Sequence, residues 1–167
     1  MIGRRNKALD SSVLLLLATF LVALAALATR VLPVAMASNT KDKNFAQALI
    51  ERTLAKHSEL TGMGMGAVPP KGHDCVDIAD TDVKEIGEKC DKGELSVLKS
   101  GKSTIEKEED AFDVTVPLHA GGKAIGILSM DFKLDQKESG LLDRASEIAK
   151  EVEAQIPSKA TLFETAK

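Results

Sequence analysis

Four polar side chains on two apolar segments are the best candidates in this sequence for contacts with a ligand. Asp113 and Thr115 precede the pair Gly121-Gly122, and Ser129 and Asp131 follow it. Two glycines suit a tight hairpin turn because glycine adopts positive φ without strain. A three-residue loop would place all four side chains on one face, whereas a two-residue loop would shift the pairing by one residue and separate them. The register given by the three-residue loop separates polar from apolar residues better, so we prefer it. It predicts a polar face that either lines a pocket or is solvated.

A second cluster has side chains that suit a soft metal. Met63, Met65, His73 and Cys75 lie within 13 residues. Thioether, imidazole and thiolate ligands bind Cu(I) or haem iron. The simpler interpretation is that the methionines fill gaps in the core, His73 faces solvent and Cys75 is in a disulfide. We therefore assign no metal and no cofactor, and expect His73 and the glycine-rich residues 62–66 to border the ligand pocket.

The two cysteines are predicted to form a disulfide. Cys75 and Cys90 are the only cysteines of the chain. Two thiols this close in sequence pair readily in an oxidising compartment, and closing a loop of about 15 residues stabilises a fold by roughly 3 kcal/mol. Their spacing fits neither a CxxC redox pair nor c-type haem attachment.

Composition excludes several classes of function. The sequence has no GxSxG motif and no local set of residues typical of a catalytic site, so we predict a protein that is not an enzyme. The net charge is −3, and without the basic first 37 residues it is −6, which argues against nucleic-acid binding. The absence of Trp and Tyr weakens any hypothesis that needs aromatic cages.

The first 37 residues are predicted to be a targeting segment. Three basic residues within the first seven precede the uncharged stretch 11–29, and Ala35-Met36-Ala37 provides a signal-peptidase site before Ser38. The alternative is an uncleaved membrane anchor, since 19 uncharged residues are enough to span a bilayer. Both interpretations predict that residues 38–167 form one domain that is periplasmic or secreted.

Periodicity and turn residues predict the elements that position these candidates. Helical spacing is found at both ends of the exported part and alternation lies between them, which predicts an α+β fold with one antiparallel sheet. The expected elements are a helix at 43–57, a loop at 61–72, a strand at 75–79, a short helix or turn at 83–90, a helix at 94–99, a strand at 103–108, the hairpin at 111–133 and a long helix at 136–155.

Several segments resemble Cache domains, the extracytoplasmic PAS-like sensor domains. The resemblance covers residues 43–156, and its carriers are ADTD at 79–82, VLKSGK at 97–102, VPLH at 116–119 and AIGILSMDF at 124–132. It implies a PAS-like sheet flanked by a long N-terminal and a long C-terminal helix. It also implies a small-molecule ligand, often a carboxylate or amino acid, and a signal passed to a membrane protein. The sequence lacks the Trp/Tyr-bearing motif of the members that bind amino acids, and it lacks an output domain.

The sequence thus predicts an exported, non-catalytic sensor that binds a small molecule and signals through a separate partner in the membrane. One alternative is an interaction module without a ligand, whose helices pair with a second copy as a homodimer or with another protein. A third interpretation, a periplasmic haem or metal protein, depends only on scattered His, Met and Cys residues.

Overall fold

The computed structural model describes residues 43–166. The predicted leader at 1–37, with its alternatives of cleavage or anchoring, lies outside the described residues. Among the residues that are described, no helix combines the length and the apolar character needed to cross a bilayer.

The described chain folds as an α+β unit, which confirms the predicted class. Its helices and strands are α1 (Phe45–Leu54), β1 (Leu60–Ala67), β2 (Val76–Asp80), α2 (Lys92–Ser100), β3 (Thr104–Lys107), β4 (Ala111–Ala120), β5 (Lys123–Lys133) and α3 (Leu141–Glu153). Short 3-10 turns at Glu138–Gly140 and Lys159–Phe163 precede and follow α3.

Local sequence explains where the first two helices begin and end. The Asn44 side chain accepts a hydrogen bond from the Gln47 amide at the start of α1. Asp91 and Glu94 form a reciprocal capping box at the start of α2, and Gly101 ends that helix in the left-handed conformation at φ 67°.

The five strands form one antiparallel sheet in the order β2-β1-β5-β4-β3. Alternate residues of each strand point to opposite faces. One face is apolar and packs against α1 and α3, which contribute buried residues such as Leu49, Ile50, Ile148 and Val152 to the core. This packing fixes the register, because a slip of one residue would turn the apolar side chains away from the helices.

The glycine-rich segment that we predicted as a loop is strand β1, and this prediction is wrong. Leu60–Ala67 pairs with both β2 and β5 near the middle of the sheet. Met63 and Met65 are buried in the apolar core, and the alternate glycines lie on the opposite face. Glycine fits there because the neighbouring strands send side chains across β1: a Cβ on Gly62 would collide with the Asp131 carboxylate, and one on Gly64 would lie 2.5 Å from Asp80 Oδ2.

The turn of the β4–β5 hairpin differs from the predicted one, yet the predicted face is correct. Gly121 and Gly122, at φ 58° and 74°, form a two-residue turn instead of the expected three-residue loop. A bulge between Leu118 and His119 in the pairing shifts the register and restores the parity of a longer loop. The polar residues therefore pair across the strands, Asp113 with Asp131 and Thr115 with Ser129.

The helices also differ from the expected bounds. Of the two alternatives predicted for residues 83–90, a short helix or a turn, the turn is confirmed at 83–87, and Lys89 forms an isolated bridge with Val76. The first helix ends at Leu54 after ten residues, so a long N-terminal helix is not confirmed. The C-terminal helix is 13 residues long and begins at Leu141, because the chain first passes through a 3-10 turn.

Candidate functional site

A cavity of about 450 Å³ lies on the polar face of the sheet. Strands β1, β2, β4 and β5 contribute residues to its wall, and the segment between β2 and α2 and the start of α2 contribute others. Its volume lies within the range of small-molecule sites in proteins. We call this cavity the acidic pocket, because five aspartates, four glutamates and a single lysine are among its lining residues.

The carboxylates of the acidic pocket come from two parts of the fold. Four are strand residues: Asp77 and Asp80 on β2, Asp113 on β4 and Asp131 on β5. The other five lie in the turns and at the start of α2; they are Glu85, Glu88, Asp91, Glu94 and Glu108. The pairing of the sheet brings the strand carboxylates together, because Asp113 and Asp131 are direct cross-strand partners.

Glycines in β1 provide the floor of the acidic pocket. Gly64 lines it, and any side chain at Gly62 or Gly64 would displace the carboxylate of Asp131 or Asp80. β1 lies between β2 and β5, so the aspartates of these two strands face each other across the glycines. The carboxylates of Asp80 and Asp131 both lean over β1, because they occupy the space that a Cβ on Gly64 or Gly62 would need.

Lysine 89 does not neutralise these acids. Its Nζ lies 2.8 Å from Asp74 Oδ2, outside the pocket lining, and its side chain is 75% exposed. Within residues 43–166, no Lys, Arg or His nitrogen lies within 4.0 Å of any of the nine lining carboxylates. The negative charge of the acidic pocket is therefore uncompensated by the described part of the chain.

Burial and mutual repulsion raise the pKa of the strand carboxylates. Desolvation, with repulsion from Glu94 and other acids, raises the pKa of Asp77 to about 7. Desolvation, with repulsion from Asp131 next in size, raises the pKa of Asp113 to about 7. Desolvation raises the pKa of Asp80 to about 6, although the Asp82 amide donates to its carboxylate and opposes the change. The pKa of Asp131 is raised by desolvation and by nearby acids.

One oxygen of Asp113 has no partner. Its Oδ1 is inaccessible to solvent and receives no hydrogen bond from the described residues. The other oxygen, Oδ2, receives only a long hydrogen bond of 3.5 Å from the Thr115 hydroxyl. A buried acceptor without a donor is costly, and the raised pKa of Asp113 agrees with this setting because burial favours the neutral carboxyl.

The predicted ligand residues are not all at one site. Asp113, Ser129 and Asp131 line the acidic pocket together. Thr115 is 3% exposed and lies beneath them, within hydrogen-bonding range of Asp113 and Ser129. His73 lies elsewhere, in a separate cavity of about 460 Å³ beside the disulfide.

The sequence analysis missed most of the carboxylates in the acidic pocket. Asp77 and Asp80 are three residues apart, so the alternation of a regular strand would place them on opposite faces. An irregularity in the β1–β2 pairing, where Met65 pairs with Ala79 and Gly66 with Asp77, brings both to the polar face. Glu94 was predicted only as the first residue of a short helix, yet it belongs to the capping box of α2 and also accepts a hydrogen bond of 3.2 Å from Ser129.

The predicted disulfide is present, and it divides the proposed soft-metal cluster. The sulfurs of Cys75 and Cys90 are bonded at 2.07 Å. Met63 and Met65 are core residues, and His73 is exposed, so the cluster is dispersed. Within 43–166, the one group of three potential metal ligands is Asp77, Cys90 and Glu94, and its sulfur is already used in the disulfide.

Comparison with solved structures finds partial likenesses at low sequence identity. The GAF domain of a two-component sensor histidine kinase from Bacillus halodurans is 14% identical, with a TM-score of 0.48 over 68% of this chain and 91% of that one. A type II free methionine-R-sulfoxide reductase from Thermoplasma acidophilum is 17% identical, with a TM-score of 0.46 over 71% and 92%. The inducer-binding domain of the PobR transcription factor from Acinetobacter, solved with 3-hydroxy benzoic acid, is 12% identical, with a TM-score of 0.43 over 68% and 95%.

No family model matches the sequence, and no curated protein matches it. The assignment to Cache domains stays a prediction. None of the three structural likenesses reaches a TM-score of 0.5, so none of them indicates a function for this chain.

Proposed function

We propose that this chain is an exported, non-catalytic sensor that binds a small molecule in the acidic pocket and signals through a separate partner. The observation that carries the proposal is the unpartnered, buried oxygen of Asp113 in the wall of a 450 Å³ cavity. Leaving such an oxygen without a donor costs roughly 1–3 kcal/mol, and a ligand would recover that energy if the Asp113 side chain turned so that the oxygen faced the cavity.

The remainder of the fold supports binding rather than chemistry. We assign no nucleophile to the pocket, because its single serine, Ser129, donates to Glu94 and has no histidine among the described pocket residues to activate it. The pocket is open on one side and rigid on the other, where the sheet packs on α1 and α3. Such a site can hold a ligand while the segment 81–91 responds to its presence.

Export is part of the proposal. A disulfide is typical of an oxidising compartment, and the first 37 residues have the composition of a signal peptide or an anchor. Residues 38–167 would then act outside the cytoplasm as one domain. The partner would be a membrane protein that reads the liganded state.

A ligand screen tests the binding function. The purified protein is melted in the presence of amines, amino acids, sugars, carboxylates and aromatic acids, and hits are confirmed by calorimetry. Binding to the native state raises the free energy of unfolding by RT ln(1 + [L]/Kd), and the melting temperature rises with it. We expect at least one class to bind and to be recovered chemically unchanged. The absence of any hit in all classes, or turnover of the ligand, would overturn the proposal.

The mass of the protein isolated from its native host tests export. We expect a disulfide-bonded species in the extracytoplasmic fraction, either cleaved before Ser38 or retained whole in the membrane. A reduced, full-length protein in the cytoplasmic fraction would contradict this part of the proposal.

A further inference from the structure

We propose that the cavity beside the disulfide is a second binding site, and that it takes a small aliphatic monocarboxylate. Leu95, Leu98 and Lys99 of α2 line this cavity next to the disulfide, and we call it the disulfide cavity. Its volume of about 460 Å³ lies within the range of small-molecule sites. The inference goes beyond the proposed function, because it concerns a site other than the acidic pocket and does not require a ligand there.

The first argument is an apolar wall that the fold leaves partly uncovered. Leu95 and Leu98 are one turn apart on α2, and Val68 joins them in the lining of the disulfide cavity. All three side chains are only half-buried, whereas Val97 on the same helix is fully buried. A hydrocarbon chain that entered the cavity would remove this apolar surface from water, which is favourable.

The second argument is that the floor of the disulfide cavity is already formed. Cys75 and Cys90 line it, and both residues are buried. A Cβ on Gly66 would lie 2.8 Å from the sulfur of Cys90, so the disulfide packs directly against the backbone of β1. A floor that is fixed before binding lowers the cost of ordering the site around a ligand.

The third argument is the charge at the disulfide cavity. Asp74 is the only acid among the described residues that line it, and this carboxylate is paired with Lys89 at 2.8 Å. Lys99 also lines the cavity, and its Nζ lies more than 4.0 Å from every carboxylate oxygen of residues 43–166. Lys99 therefore places one uncompensated positive charge beside the apolar wall, and an anionic head group complements it.

The acids of α2 belong to the other cavity. Asp91 and Glu94 form the capping box and line the acidic pocket, where Glu94 also accepts a hydrogen bond of 3.2 Å from Ser129. Neither acid lines the disulfide cavity. The same helix thus contributes acids to one cavity and two leucines with a lysine to the other, so the two cavities favour ligands of different charge.

The composition of the lining narrows the class of anion. One uncompensated lysine matches one negative charge, and a second carboxylate on the ligand would have to lie against leucine side chains. The described lining residues include no arginine, the side chain that recognises phosphate with two parallel hydrogen bonds. None of them is aromatic, which favours a flexible aliphatic chain over a stacked ring. His73 offers a ring N–H that can donate to the carboxylate.

Nuclear magnetic resonance titration of the full-length protein tests the inference with defined probes. The probes are butyrate, hexanoate and octanoate, with hexylamine as a cation of matched chain length. We expect the amide signals of Leu95, Leu98 and Lys99 to shift, and the affinity to rise by about two- to fourfold for each added methylene group that is buried. Hexanoate should bind at least about fivefold more tightly than hexylamine. Affinity that does not depend on chain length, or equal binding of hexylamine, would overturn the inference.

Charge variants at the exposed end of α2 locate the head group. Lys99→Gln should weaken hexanoate binding by about two- to fivefold, the size expected for one solvent-exposed ion pair. Lys99→Glu should reverse the preference, so that hexylamine binds more tightly than hexanoate. The matched control is Lys102→Gln, an exposed lysine that follows the end of α2 and does not line the cavity, and it should leave the affinity unchanged. Equal affinities in Lys99→Gln and Lys102→Gln would refute the placement.

The same titrations separate the two cavities and exclude another occupant. Asp113→Asn should leave hexanoate binding as it is in the wild type. If Asp113→Asn weakens binding and Lys99→Gln does not, the carboxylate lies in the acidic pocket, and the second site is wrong while the proposed function stands. If the signals of Leu95 and Leu98 shift with protein concentration when no probe is present, a second copy of the chain covers this surface, and that result also overturns the inference.

Discussion

Replacing Asp113 by asparagine should stabilise the unliganded protein, and it should do so more at pH 8 than at pH 5. Asp113 is crowded by acids from several elements. They are Asp131 on β5, Glu94 on α2, Glu106 on β3 and Glu108 in the turn that follows β3. Burial and this repulsion raise the pKa of Asp113 to about 7. Asparagine keeps the shape of the side chain and removes the charge.

The sign follows from proton binding. Between about pH 4 and pH 7 the folded state keeps the proton of Asp113 while the unfolded state releases it, so stability falls as the pH rises. The pKa of Asp113 differs by about three units between the unfolded and the folded state, and this difference corresponds to an upper bound of roughly 4 kcal/mol on the free energy of unfolding that the charge costs. Screening at the open mouth of the pocket reduces the gain to about 1–2 kcal/mol at pH 8. At pH 5 the pH has passed only about a third of the way from the unfolded-state pKa of Asp113 to its folded-state pKa. The stability that Asp113→Asn gains over the wild type should therefore be less than half as large as at pH 8.

Urea unfolding of the disulfide-intact protein at pH 5 and pH 8 measures this gain. We expect the midpoint of Asp113→Asn to rise at pH 8, with an increase in Tm of about 3–8 °C in a parallel thermal melt. Asp135→Asn serves as the isosteric control and should change neither midpoint. A loss of stability at pH 8, or a gain of the same size at both pH values, would refute the electrostatic reasoning.

Three further results are expected. The unliganded wild-type protein should lose stability from pH 5 to pH 8, because burial raises the pKa values of its four strand aspartates; a rising urea midpoint would contradict this. Gly64→Ala should displace the Asp80 carboxylate and weaken binding of the ligand found in the screen, with little loss of stability, whereas Gly126→Ala, which meets a backbone carbonyl, should lower Tm strongly; calorimetry and melting curves distinguish them, and equal losses of stability would count against the pocket. Replacing Cys75 and Cys90 by alanine should cost roughly 3 kcal/mol in urea unfolding and reduce the affinity for that ligand, because the bridge holds the segment that carries Glu85; unchanged affinity would mean that this segment plays no part.

The hairpin shows what alternation and turn residues can predict. Asp113 and Thr115 alternate with apolar residues of β4, so their common face follows from the period of a strand. The facing of Ser129 and Asp131 was also predicted, although the loop length was wrong. A bulge at Ile125, opposite the Leu118–His119 step, compensated for the shorter turn, and Gly126 beside it was an available signal because a glycine within a strand often marks a bulge.

Strand β1 shows why composition alone led to the wrong prediction of a loop. Gly62, Gly64 and Gly66 suggested a loop because glycine weakens an isolated strand. Their role appears only when neighbouring strands are present, since Asp131 and Asp80 occupy the space that side chains would need. The alternation of glycine with methionine was the available signal, and it has the period of a strand.

The acidic pocket could not be predicted from the sequence, because it depends on pairing between strands that are far apart along the chain. Asp77 and Asp113 are 36 positions apart in the chain, and they come to one cavity because β2 and β4 flank the β1–β5 pair. The charged turns looked like ordinary solvated segments. They line the pocket because the disulfide at Cys90 and the capping box at Asp91 hold the C-terminal end of the segment 81–91, while its other end continues from strand β2.

A crystal structure of the protein grown with the best ligand from the screen is the most direct test of a binding site on the polar face of the sheet. We predict that the ligand lies in the acidic pocket and contacts residues of its lining such as Asp113, Ser129 and Asp131. A pocket that holds only water, with the ligand absent or bound on another surface, would contradict the account.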